Sequence, residues 1–292
     1  MNSNNSEHRE ERFKSRDNLS LFYRQFGPRD AHGTAVLCLP GFTRNSKDFI
    51  EVAARLSAKR RVLCLDLRGR GRSSYDPNVG NYQPDTYLQD LWALLEVAEV
   101  PRVIVIGTSL GGLLAMMMAA TRPEAVAGVV LNDVGPEIAP TGLARIAEYI
   151  GRLPEVSSWE EAIAQSKAVY GVALPDLTEA QWLRFTRRQY VEGGNGRIHV
   201  EYDAKLGDAL RNALTRAGEK VVDAWAVFGG LGDVPTLAFR GALSDVLAPE
   251  VFAKMGEVKP DLIRVIVPNR GHVPLLDEPE CQAALDTFFA KY

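Results

Sequence analysis

The run Gly107-Thr108-Ser109-Leu110-Gly111 lies between the apolar run Val103-Ile104-Val105-Ile106 and the helix-forming run Leu113-Leu114-Ala115-Met116-Met117. A serine presents its side chain at the apex of such a strand-turn-helix only if the chain reverses sharply, and a reversal that tight leaves no room for bulk on either side. Gly107 and Gly111 provide that room. The arrangement reads as a nucleophile elbow. It sets Ser109 beside the first unpaired N–H groups of the following helix, whose positive end can stabilise an oxyanion.

The rest of the chain supports a strand-helix alternation. Phe13 to Phe26 reads as two short strands around Arg16-Asp17-Asn18, Ala35 to Leu39 as a fully apolar strand ending at Pro40-Gly41, and Arg61 to Leu65 as another. Helical spacing covers about Ser46 to Ser57 and Thr86 to Ala98, and Val126 to Leu131 is a further strand. Apolar strands separated by helices require crossover connections, so the expected fold class is α/β, a mostly parallel sheet with helices on both faces. The rhythm breaks after Val134-Gly135-Pro136. From Glu137 to about Gly232 only helix-like stretches occur, and strands resume with Thr236 to Phe239 and Leu262 to Val267 before a closing helix from about Pro279. The expected organisation is therefore a core of residues 1–136 and 233–292 interrupted by a helical segment, 137–232.

Composition narrows the function. A formal charge of −3 with scattered basic residues gives no footprint for nucleic acid or an anionic membrane surface. Cys38, Cys64 and Cys281 show neither a paired framework nor metal-ligand spacing, which reads as buried free thiols in a reducing compartment. Met1 to Arg12 is polar with no apolar stretch, so a cytoplasmic protein with a disordered start is expected.

A serine hydroxyl needs a base. Of the four histidines, His8 lies in the polar start, His32 in a turn and His199 beside Gly193-Gly194-Asn195-Gly196. His272 alone follows a core strand directly, where catalytic groups of an open parallel sheet collect. Two aspartates also end strands and can orient that imidazole. Asp245, in Gly241-Ala242-Leu243-Ser244-Asp245, gives the chain order Ser, Asp, His and is the expected partner. Asp133, after Val126 to Leu131, is the second candidate, its plainer reading being an ordinary turn aspartate. The oxyanion donors expected are the N–H of Leu110 and the N–H of Phe42, in the turn Leu39-Pro40-Gly41-Phe42.

In order along the chain, Leu39-Pro40-Gly41-Phe42, Asp66-Leu67-Arg68-Gly69-Arg70-Gly71-Arg72-Ser73, the elbow, Arg240-Gly241 to Asp245, and Gly271-His272 resemble the motifs of the α/β-hydrolase fold family. The resemblance spans about Phe13 to Tyr292 and is closest to its serine esterase and enol-lactonase branch. It implies an eight-stranded sheet, a helical cap inserted after the sixth strand, and a structural role for the Asp66 to Ser73 loop. It further implies cleavage of a small-molecule carboxylic ester or lactone through an acyl-enzyme, with no metal or organic cofactor. The helical segment would set specificity, Trp159, Trp182, Phe185, Tyr190 and Trp225 offering apolar walls and Arg187 or Arg188 meeting a substrate carboxylate, although adjacent helical positions point in different directions. Three alternatives stay open. A carbon–carbon bond hydrolase of a dioxo acid would share the triad, but its relatives often carry an aromatic residue where this chain has Val273. An acyltransferase or perhydrolase would share the acyl-enzyme, and a non-catalytic binding protein could use the same fold.

Overall fold

Strand formation follows the apolar runs. The computed structural model describes residues 8–216 and 223–292. Its strands are β1 (His8–Lys14), β2 (Ser20–Phe26), β3 (Gly33–Leu39), β4 (Arg60–Asp66), β5 (Val103–Thr108), β6 (Val126–Asn132), β7 (Tyr190–Glu192), β8 (Ile198–Val200), β9 (Thr236–Gly241) and β10 (Ile263–Val267). Eight of them form one sheet in the order β1-β2-β4-β3-β5-β6-β9-β10. The β1–β2 and β2–β4 pairs are antiparallel and every other pair is parallel. The expected fold class is the one observed.

The helices are α1 (Ile50–Leu56), α2 (Pro84–Val97), α3 (Leu110–Thr121), α4 (Pro140–Tyr149), α5 (Trp159–Tyr170), α6 (Glu179–Gln189), α7 (Lys205–Arg216), α8 (Ala224–Gly229), α9 (Pro249–Val258) and α10 (Pro279–Lys291). Side chains alternate across the central strands, as a pleated backbone requires. Leu37, Leu39, Val103 and Val105 join Leu91 of α2 and Leu114 of α3 in one core, while Val36, Cys38, Ile104 and Ile106 join Val52 of α1 and Phe288 of α10 in the other. A sheet buried on both faces explains why these strands are apolar throughout rather than alternating in polarity.

Two expectations are corrected at the periphery. β1 begins at His8, so residues 8–12 are strand rather than disordered start. An edge strand tolerates a polar sequence, and His8 pairs opposite Phe26 and stacks on its ring. Residues 1–7 lie outside the described part. The segment after β6 is not wholly helical, because β7 and β8 form a short antiparallel hairpin within it. Its last helix, α8, packs on the core side: Phe228 joins the cluster that contains Leu114. Among the described residues no helix is long and apolar enough to cross a membrane.

Candidate active site

β5 runs straight into the elbow, and the turn is as tight as its glycines imply. Ser109 sits at φ 51°, ψ −115°, a conformation a non-glycine residue adopts only where its surroundings enforce it. A Cβ on Gly107 would lie 2.3 Å from the Gly111 carbonyl oxygen, and one on Gly111 would lie 2.1 Å from that of Leu39. Both contacts are with backbone, which cannot swing aside. The elbow is thus wedged between β3 and the first turn of α3, and Ser109 is held outward by packing.

Register then decides what stands next to the serine. In the parallel β5–β6 pair Thr108 is opposite Asn132, so Ser109 and Asp133 leave adjacent strands side by side. The loop after β10 returns His272 between them, tied down where the Asn132 side-chain amide donates to the Pro274 carbonyl (2.9 Å) and the Gly271 N–H to the Ala173 carbonyl (2.7 Å). His272 Nε2 lies 3.0 Å from Ser109 Oγ, and Nδ1 lies 2.7 Å from Asp133 Oδ2. A carboxylate can only accept, so Nδ1 carries the proton and Nε2 of the neutral ring is left to accept from the serine hydroxyl.

The carboxylate facing His272 is therefore Asp133, and the expectation of Asp245 in that place is corrected. Asp133 is fully buried, and its Oδ1 accepts from the Gly241 N–H (2.8 Å) while Oδ2 also accepts from Ser244 Oγ (2.6 Å). Three donors on one buried carboxylate compensate its lost hydration. Asp245 is partly exposed and forms a two-pronged pair with Arg145 of α4 (2.6 and 2.9 Å). Burial pushes its carboxyl upward, but the Arg145 bonds and charge outweigh this and hold it below the usual carboxylate range. Its observed work is to fasten α4 onto the loop after β9, where a Cβ on Gly142 would already sit 2.3 Å from the Asp245 carbonyl oxygen.

The turn after β3 abuts the elbow, with a Cβ built on Gly41 lying 3.8 Å from Ser109 Cβ. The Arg44 N–H donates to the Gly41 carbonyl (3.1 Å), and a trans peptide points its N–H opposite its C=O, which fixes the direction of the Phe42 N–H. The next carbonyl, that of Phe42, accepts from Arg70 Nε (2.8 Å). Arg70 is fully buried and lies near the faces of Phe42, Tyr82 and Tyr87. The Leu110 N–H opens α3 and has no residue within the helix to accept it. The Asp66 to Ser73 loop is accordingly scaffolding. Asp66 accepts from the Ser46 and Arg72 N–H groups, and Arg68 is clamped by Asp90, Asp76 and Asp17.

Ser109 and His272 line a cleft of about 760 Å³, open solvent at its mouth included, roofed by α4, α5 and α6. Of the specificity residues expected from sequence, Phe185 and Arg188 line it, and Arg188 is bonded to Glu51. Arg187, Trp159, Trp182, Tyr190 and Trp225 do not, which corrects those expectations. Arg187 is exposed over the Trp159 ring because one helical step rotates it away from its neighbour, and Trp182 is buried among Leu174, Leu177 and Phe185. The sequence reading passed over Arg44, Tyr149 and Tyr170, which do line the cleft. The signal available for Arg44 was an arginine two positions past Phe42 with an aspartate four residues later. Among the described residues no group of His, Cys, Asp and Glu could hold a metal ion.

Comparison with known proteins agrees with this fold. Residues 34–279 match the family model described as alpha/beta hydrolase fold. The 3-hydroxybutyrate-oligomer hydrolase of Cupriavidus necator is 32% identical over 275 residues, 92% of each chain. The 2-(acetamidomethylene)succinate hydrolase of Mesorhizobium japonicum is 28% identical over 82% of each. The crystal structure of an alpha/beta hydrolase from Novosphingobium aromaticivorans superposes with a TM-score of 0.91 at 41% identity, covering 98% of this chain and 99% of that one.

Proposed function

The chain belongs to the α/β-hydrolase fold family, and from that premise we propose that it is a serine hydrolase of small carboxylic esters or lactones that works through an acyl-enzyme. The observation that carries the proposal is the continuous line Ser109 Oγ, His272 Nε2, His272 Nδ1, Asp133 Oδ2 at the floor of the cleft. In this reading Ser109 attacks the substrate carbonyl as His272 Nε2 takes its proton, and Asp133 steadies the imidazolium that forms. The Phe42 and Leu110 N–H groups meet the oxyanion. His272 then returns the proton to the departing alkoxide, and a water activated by the same nitrogen releases the acid. A serine at the elbow makes an acyl ester, so reactions that need an alkyl-enzyme on an aspartate fall outside the proposal.

Similarity over nine tenths of both chains to a hydrolase named for 3-hydroxybutyrate oligomers favours, as substrate class, short esters of hydroxy acids. A cleft walled by Ile146, Ile150, Leu174 and Phe185, with polar side chains such as Arg44, Tyr149 and Tyr170 set among them, suits a molecule of that character. We treat the helices over the cleft as the cap that selects the substrate. The test is a panel of esters and lactones of graded length, some carrying a carboxylate, turned over by wild type and Ser109→Ala. The variant should lose about three or more decades in kcat. Equal turnover by the two proteins across the panel would reject the proposal.

A further inference from the structure

Arg44 enters the cleft from the turn that carries Phe42. Its Nε donates to Asp48 Oδ2 (2.7 Å) and its Nη2 to Asp48 Oδ1, while the guanidinium carbon lies 4.5 Å over the centre of the Phe185 ring. Those contacts pin the group in one orientation and use two of its three nitrogens. The third, Nη1, is buried and has no hydrogen-bond partner. A buried donor on a cation left without an acceptor is costly, and such a group in a pocket marks the place where a ligand oxygen belongs.

We propose that Arg44 is a specificity residue that receives a carboxylate at the far end of the substrate, so that the preferred substrates are short esters ending in a free acid. This rests on the ester-hydrolase reading above and names its substrate class more narrowly. Apart from His272, the titratable and charged side chains that line the cleft besides the tyrosines are Arg44, Arg188 and Asp48, two guanidinium groups against one carboxylate, with Glu51 engaging Arg188 outside that lining. Tyr149 and Tyr170 stand on the same side, their rings edge to face at 6.0 Å. Burial and the neighbouring Tyr170, with which it shares a hydrogen bond, raise the Tyr149 phenol well above its ordinary value. The surrounding wall is apolar, and a planar, two-oxygen anion matches one fixed guanidinium edge and a phenol better than a neutral tail does.

The test uses p-nitrophenyl esters of dicarboxylic acids of graded length, each with a free carboxylate or a primary amide at the far end. At the best length wild type should favour the carboxylate by about tenfold or more in kcat/KM. Arg44→Gln should bring that ratio close to one, Arg44→Lys should restore part of it, and Asp48→Asn, which frees Arg44 from its internal counter-ion, should raise it. Melting curves of each variant establish that the fold is kept. An acid-to-amide ratio near one in wild type at every length, or a ratio unmoved by Arg44→Gln in a folded protein, overturns the inference while leaving the hydrolase reading intact. Failure of wild type to cleave any of these esters would remove both.

Discussion

Replacing Asp133 by Asn exchanges one oxygen for an amide nitrogen in a side chain with 0% exposure. The carboxylate now takes three hydrogen bonds, from Gly241 N–H, Ser244 Oγ–H and His272 Nδ1–H. An amide has one oxygen to offer. If that oxygen stays with Gly241, the NH₂ group faces His272 Nδ1, which must then accept, so the ring proton moves to Nε2 and Ser109 loses its base. If the amide turns over, its NH₂ meets the Gly241 N–H and leaves a buried donor unpaired, a cost of about 1–3 kcal/mol in stability. Ser244 Oγ is itself held by the Val246 and Leu247 N–H groups and cannot turn to help. The wrong tautomer of such a histidine lowers kcat by on the order of 10⁴, or about 5 kcal/mol of barrier. Asp245→Asn disturbs only a partly exposed pair with Arg145, of the kind that contributes about 0.2–1 kcal/mol, so its kcat should stay within about fivefold of wild type. Initial rates on a p-nitrophenyl ester, with circular dichroism to confirm folding, measure both. A folded Asp133→Asn enzyme within tenfold of wild type beside an Asp245→Asn enzyme down by about two decades would refute the assignment of the acid to Asp133.

Further expectations concern stability. Arg68→Met strands Asp90 and Asp76, both buried and both bonded to Arg68, and should cost about 3–5 kcal/mol in urea unfolding; a loss below about 1 kcal/mol would show that the clamp is dispensable. Burial chiefly raises the Tyr202 phenol from 10.0 to about 12. Between those values the folded chain keeps a proton that the unfolded chain has lost, so this group's stabilisation is complete below pH 10, declines as pH rises, and is gone above about 12. Tyr202→Phe should therefore flatten the alkaline fall in urea midpoints, and an unchanged slope would remove Tyr202 as a contributor.

The features legible in the amino-acid order were those whose causes are local. Ser109 and its glycines were legible because a tight strand-to-helix reversal excludes every other residue type from Gly107 and Gly111, and the parallel sheet was legible because strands buried on both faces are apolar at every position. His272 was singled out by its place after a core strand. The order Ser, Asp, His could not choose between Asp133 and Asp245, since both lie between positions 109 and 272. Only the β5–β6 register, which sets Asp133 beside Ser109, and the capture of Asp245 by Arg145 made that choice. The roof of the cleft was likewise settled in three dimensions. Which of two adjacent arginines faces inward depends on how α6 is rotated against the core, and the unpaired nitrogen of Arg44 exists only because Asp48 and Phe185 fix the rest of that side chain. Local sterics are written in neighbouring residues, whereas partners brought together from distant strands and helices are decided by packing, because each has several plausible companions until the tertiary fold removes all but one.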